Sequence, residues 1–264
     1  MYDFQKASIW KRISAALFDF ILLSIVVTGV ACLISLAINY DAQAEKMEAL
    51  YTTYETKYGM TAAEIKFSDD YNKLSEEKKA IYDAAKEALE KDEDFQKEFP
   101  KLATTIFNYT LIIISFSILI GFLIVEFLFP LIFKNGQTLG KKIFGVAVMR
   151  EDGVKVTPIL MFIRTILGKY TIETMILVFI LVMLGFGMGG IVALAVAAII
   201  LIMQLILLLA TKARTPIHDK LAHTVTVDFA TQMIFDTKEE MMAYQKRIHE
   251  EQAETSTEGQ ENKS

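Results

Sequence analysis

The stretch MILVFILVMLGFGMGGIVALAVAAIILIMQLILLLA, Met175–Ala210, contains no charged residue. As one straight helix, at ~1.5 Å per residue, it would be roughly 54 Å long, far more than a ~30 Å hydrocarbon layer requires. Gly185, Gly187, Gly189 and Gly190 sit near its middle, where glycine allows a tight turn. A split there predicts a third span over about Thr171–Phe186 and a fourth over about Ile191–Ala210.

Two more apolar runs lie upstream. Ile13–Ile38 follows Lys6, Lys11 and Arg12, and its length separates it from the ~7–15-residue core of a cleaved leader. Leu102–Phe133 is also long enough to cross, with Glu126 and Pro130 toward its far end. Proline there is expected to kink or finish the last turns. The sequence therefore predicts an all-α membrane protein, a four-helix transmembrane bundle. A helical insertion lies outside the cytoplasm, and a short β-hairpin lies inside it.

Composition agrees. Of 264 residues, 53% are hydrophobic and 22% charged, which is possible only because the two kinds are segregated along the chain. The net charge of −5 averages unlike parts, and the basic residues cluster near span ends, not in a nucleic-acid-binding stripe. One cysteine, Cys32, excludes an internal disulfide framework.

Positive charge orients the chain. Lys134, Lys141, Lys142, Arg150, Lys155, Arg164 and Lys169 outnumber Glu151 and Asp152 between the second and third spans, and Lys212, Arg214 and Lys220 follow the fourth. Both segments, and with them both termini, are expected in the cytoplasm. The acidic Asp41–Phe99 excursion is expected outside. Residues 1–39, 40–101, 102–133, 134–170, 171–210, 211–233 and 234–264 then form successive segments.

Within the excursion, Met47, Leu50, Tyr54 and Tyr58, then Leu74, Ile81, Ala85 and Leu89, repeat at helical spacing. They predict a two- or three-helix hairpin with its own tyrosine-containing core. Gly59 breaks the first stretch; Ser68 and Ser75 are candidate caps. Ile143–Met149, the turn Glu151-Asp152-Gly153 and Val154-Lys155-Val156 suggest the hairpin, to which Val225-Thr226-Val227 could add a strand. Pro158–Lys169 reads as a basic interfacial helix. The tail is expected to be helical over Glu239–Glu251 and disordered from Ala253.

Ionisable groups inside a membrane are the first functional suspects, because each costs several kcal/mol unless compensated. Asp19 and Glu126 fall at similar depth, about two turns from the cytoplasmic ends of their spans. If the helices are neighbours, the carboxylates could hold a proton or a small cation, and like charges would raise one pKa. Arg12 is about 10 Å along the axis from Asp19 and suits a carboxylate on another element, or lipid headgroups. A buried structural pair at Asp19 is the alternative. Gln204 reads as interhelical glue. His218 and His223 are five residues apart, poor spacing for a metal on one helical face. No zinc-protease, serine-hydrolase or Walker-type motif occurs, so neither a metal, a cofactor nor catalysis is expected.

Three segments carry a resemblance: Arg12-Ile13-Ser14-Ala15-Ala16-Leu17-Phe18-Asp19; Gly136-Gln137-Thr138-Leu139-Gly140-Lys141-Lys142-Ile143-Phe144-Gly145-Val146; and Ile217-His218-Asp219-Lys220-Leu221-Ala222. In order and membrane context they resemble the RDD family of bacterial membrane proteins, over about Ala7–Asp228 with the Asp41–Phe99 insertion between. The resemblance implies that Arg12, Asp19 and Asp219 are the arginine and two aspartates of the family's name. Family members more often carry glycine at the position of His223. Transport is the role usually suggested for the family. The expected site is a cytoplasm-facing cluster of Arg12, Asp19, Glu126 and Asp219, with His218 and Gln204 as secondary members. The expected partners are the lipid bilayer and either a second copy of the chain or another envelope protein. A non-transporting adaptor using the outer helices is the rival reading.

Overall fold

The computed structural model describes residues 5–58, 71, 74–187, 190–210 and 215–261. Gly59, Ser68, Gly189, Lys212 and Arg214 lie outside the described residues. In chain order the elements are α1 (Ile9–Ala37), α2 (Tyr40–Tyr58), α3 (Glu76–Glu90), α4 (Glu93–Phe133), α5 (Leu139–Ile143), β1 (Val146–Arg150), α6 (Pro158–Gly185), α7 (Ile191–Ala210), α8 (Ile217–Leu221), β2 (Thr224–Asp228) and α9 (Lys238–Glu261). Among the described residues the protein is thus mostly helical, with one two-stranded sheet. By length and composition α1, α4 and α6 can cross a membrane; the described apolar part of α7, Ile191–Leu207, is shorter.

Two compact units are present, residues 28–117 and the remainder. In the smaller, Ser75 caps α3 by accepting from the Lys78 amide, as the sequence suggests. Tyr54 packs edge-to-face on Phe95, and Phe95 stacks on Phe99. Tyr54, Ala85 and Phe95 are buried. The aromatic side chains of the excursion therefore form a core of its own. Lys57 pairs with Asp92.

The larger unit holds the motif segments. Here α4 and α6 each contain a π-helical segment, Leu123–Leu128 and Ile163–Met175, a geometry associated with functional sites. Pro130 has no amide hydrogen to give the Glu126 carbonyl. The Thr165 hydroxyl donates to that carbonyl at 3.0 Å, which ties α6 to α4. The helix continues past the proline to Phe133 and stops at Lys134, which is left-handed.

The expected interfacial helix over Pro158–Lys169 does not stand alone. It is the first half of α6, which runs unbroken past Lys169 to Gly185, so the third span begins earlier than its hydropathy suggests. The reason is charge compensation: Arg164 and Lys169 meet carboxylates, as described below. The turn after α6 uses Gly187 at φ +70°.

The hairpin also differs from expectation. Its Asp152-Gly153 turn forms, with Gly153 at φ +87° and its amide donating to the Arg150 carbonyl. The returning strand makes one bridge, Met149 to Lys155. The principal partner of β1 is β2, antiparallel, with Val148 opposite Thr226. Ala147 and Met149 close with Val225 and Val227 into an apolar cluster, which the local return strand could not supply. Toward the end of the chain, α9 spans Lys238–Glu261. Among the residues after Gln252, Ala253, Glu254, Glu258 and Gln260 are good helix formers.

Candidate functional site

The first turn of the site is built by the segment after α4. Thr138 caps α5, its hydroxyl oxygen accepting from the Lys141 amide at 3.3 Å, while its hydroxyl hydrogen goes to Asp19 of α1. The Gly140 amide donates to the other Asp19 oxygen at 2.8 Å. A side chain at position 140 would not fit: a Cβ there would lie 2.5 Å from the Ala15 carbonyl oxygen and 2.8 Å from Asp19 Oδ1. Glycine at this position is a requirement of close approach.

Lys141 enters the same space. Its Nζ lies 3.7 Å from Asp19 Oδ2 and 3.7 Å from Glu126 Oε2, and 3.1 Å from Thr138 Oγ1. The residue is 9% exposed. Burial pushes its ammonium down to about 8, against the opposing pull of Glu126 and Asp19. Asp19 and Glu126 are thus brought together as expected, but across a lysine ammonium. Where the sequence alone suggests a cation between two carboxylates, the protein supplies the cation itself.

Glu126 is also held by Lys169, at 2.7 Å from Oε1, whereas its Oε2 accepts no hydrogen bond among the described residues. Arg164 and Lys169 are five apart, a separation that a π-helix, with its i to i+5 bonds, brings to one face. Glu173, four residues further, belongs to the same π segment. The groups that α4 and α6 send into the site therefore all lie on their π segments.

Asp219 is the most fully satisfied acid. It accepts from Arg164 Nε at 2.7 Å, from Thr224 Oγ1 at 2.9 Å and from Thr226 Oγ1 at 3.2 Å. Against the opposing effect of burial, the Arg164 guanidinium, His218 and the Thr224 hydroxyl hold its carboxyl well below the usual range. Next to it, His218 binds Glu173 twice, through its amide at 2.8 Å and through Nδ1 at 2.9 Å. Burial lowers the His218 imidazole below its ordinary value. Gly168 lets α6 approach, since a Cβ there would lie 2.6 Å from the His218 Cβ. Gln204 of α7 accepts from the Ile217 amide at 3.1 Å and so anchors α8 to α7.

Arg12, Asp19, Glu126, His218 and Asp219 all line one cavity of about 820 Å³, together with Lys6, Lys141, Arg164, Lys169 and Glu173. The four expected core members thus share a cavity, and Gln204 supports its wall from behind. The arginine paired with Asp219 is Arg164, not Arg12. Sequence reasoning placed Lys141, Arg164 and Lys169 among the orienting charges and missed them as site members; the five-residue spacing of Arg164 and Lys169 was a signal only for a π-helix. Among the described residues, no group of three or more His, Cys, Asp or Glu side chains could hold a metal ion.

No curated protein and no solved structure matches the chain. The model of the RDD family matches residues 6–223, most of the chain and all three motif segments, and the protein belongs to that family.

Proposed function

We propose that this membrane protein of the RDD family is transport-related, with the Asp19–Lys141–Glu126 triad handling protons or small cations. The observation that carries the reading is the placement of Lys141. Its ammonium sits at equal distance from two carboxylates without a close hydrogen bond to either, and Glu126 Oε2 is left without one. An ammonium near neutrality can give up its proton at modest cost. Once neutral, it leaves two carboxylates and the Thr138 hydroxyl as hard oxygen ligands that a small cation can share. Asp219, by contrast, is saturated and serves as structure.

In this reading α1, α4, α6 and α7 make four spans, both termini are cytoplasmic, and residues 40–101 lie outside. The distribution of lysine and arginine supports that orientation. Four helices form a thin wall, so the working unit is a homo-oligomer. The reading assigns no catalytic step. The test is ion-coupled proton flux in proteoliposomes: the wild-type protein moves protons, and Asp19→Asn abolishes the flux. A wild-type protein that moves neither protons nor sodium or potassium ions refutes the reading.

The adaptor alternative is favoured by one observation, the separate core around Tyr54, Ala85 and Phe95. Deleting residues 41–92 would then remove a bound envelope protein and leave flux absent throughout.

A further inference from the structure

The same cavity has a second character that proton handling does not use. Five cations line it, Lys6, Arg12, Lys141, Arg164 and Lys169, against four carboxylates, Asp19, Glu126, Glu173 and Asp219. Arg164 is 2% exposed, and its Nη1 makes no hydrogen bond among the described residues. A buried guanidinium nitrogen without an acceptor is costly and calls for a polar partner.

Apart from Ser8, Thr174, His218 and Thr226, the rest of the lining is apolar, and α1 supplies Ile9, Ile13, Phe20 and Leu23 to it. Ile9, Ile13 and Phe20 are also exposed on the surface of the protein. The cavity therefore opens along the apolar face of a helix able to cross a membrane, with Arg12 in that helix's first turn and Lys6 just before it. An amphipathic ligand fits such a lining: an oxyanion among the cations and methylenes along α1. The volume of about 820 Å³ suits a headgroup with the beginnings of its chains.

We propose that the cavity binds the phosphate headgroup of an acidic phospholipid, which enters from the side of α1 with its acyl chains along Ile13, Phe20 and Leu23. The phosphate oxygens give Arg164 Nη1 its missing acceptor. This goes beyond the proposed function, since lipid binding requires no movement of protons, and either can fail alone.

The test uses the full-length protein in a neutral maltoside detergent, with thermal unfolding followed as lipid is added. Phosphatidylglycerol at about 100 times its dissociation constant raises the melting temperature by roughly 5 °C. Phosphatidylcholine gives no such rise. In Lys6→Gln/Arg12→Gln the apparent affinity for phosphatidylglycerol falls ~10-fold, the worth of one charge-assisted contact. Where the double variant is unstable, Lys6→Gln alone, at an exposed position, shows the fall in smaller measure. Equal shifts from the two lipids, or affinity unchanged in these variants, would overturn the proposal. So would an equal shift from inorganic phosphate alone, which would make the ligand a free oxyanion.

Discussion

Arg164 of α6 donates Nε to Asp219 of α8 at 2.7 Å, and both side chains are almost wholly buried. This pair joins the third long helix to the segment that opens β2. Removing one member leaves the other charge buried alone. Asp219→Ala is expected to cost about 3–5 kcal/mol, whereas Arg164→Met/Asp219→Leu costs less than Asp219→Ala by itself. Unfolding of the three variants in detergent checks the order; a double variant worse than the single contradicts it.

Close approach at two glycines gives a second prediction. A Cβ at position 140 meets the Ala15 carbonyl and Asp19, and one at position 168 meets His218 backbone and side-chain carbon. Gly140→Ala and Gly168→Ala should each destabilise by about 1–3 kcal/mol through overpacking. Gly185→Ala, with open space around the new methyl, is the control and is expected to be nearly neutral.

The left-handed residue after α8 behaves oppositely. His223 has φ +49° and an exposed side chain whose nearest acid, Glu151, lies 3.6 Å away. An L-residue in that region pays roughly 1–2 kcal/mol, part of which glycine returns as greater freedom in the unfolded chain. His223→Gly therefore raises stability by up to ~1 kcal/mol. A loss of stability in the same denaturation assay would contradict the assignment of strain there.

Acid should weaken the motif segment through His218. Its imidazole is held below the ordinary value by burial, with Arg164 and Lys169 acting in the same sense and Asp219 and Glu173 opposing. An unfolded chain thus binds a proton at about pH 6.5 that the folded one refuses. Stability is full above that pH and falls as pH drops from it toward the folded value, by at most ~1.4 kcal/mol per pH unit. His218→Asn removes this dependence, measured as melting temperature at about pH 7.5 and about pH 5.5.

The positions of the long helices were legible in the sequence because apolar runs and glycine turns are local signals. So was the cap at Ser75. Shared depth predicts Asp19 near Glu126, and the two meet across Lys141, with Asp219 lining the same cavity. What escaped was non-local. Counting Arg164 and Lys169 as charges that orient the chain obscured their carboxylate partners, which lie on α4 and α8. The pairing of β1 with β2 spans the whole of α6 and α7, so the nearer return strand at Val154 looked sufficient. The π geometry, which brings Arg164 and Lys169 to one face, leaves no mark on a 3.6-residue period.

The central claim is that the Lys141 ammonium, suspended between Asp19 and Glu126, is the group whose proton is exchanged. The most direct measurement is the initial rate of ion-coupled proton flux in proteoliposomes from about pH 6.5 to about pH 9.5. The wild-type rate should change through a midpoint near 8, where burial places the lysine, and Lys141→Gln should remove that transition together with most of the flux. An unaltered rate and an unaltered midpoint in Lys141→Gln would contradict the account.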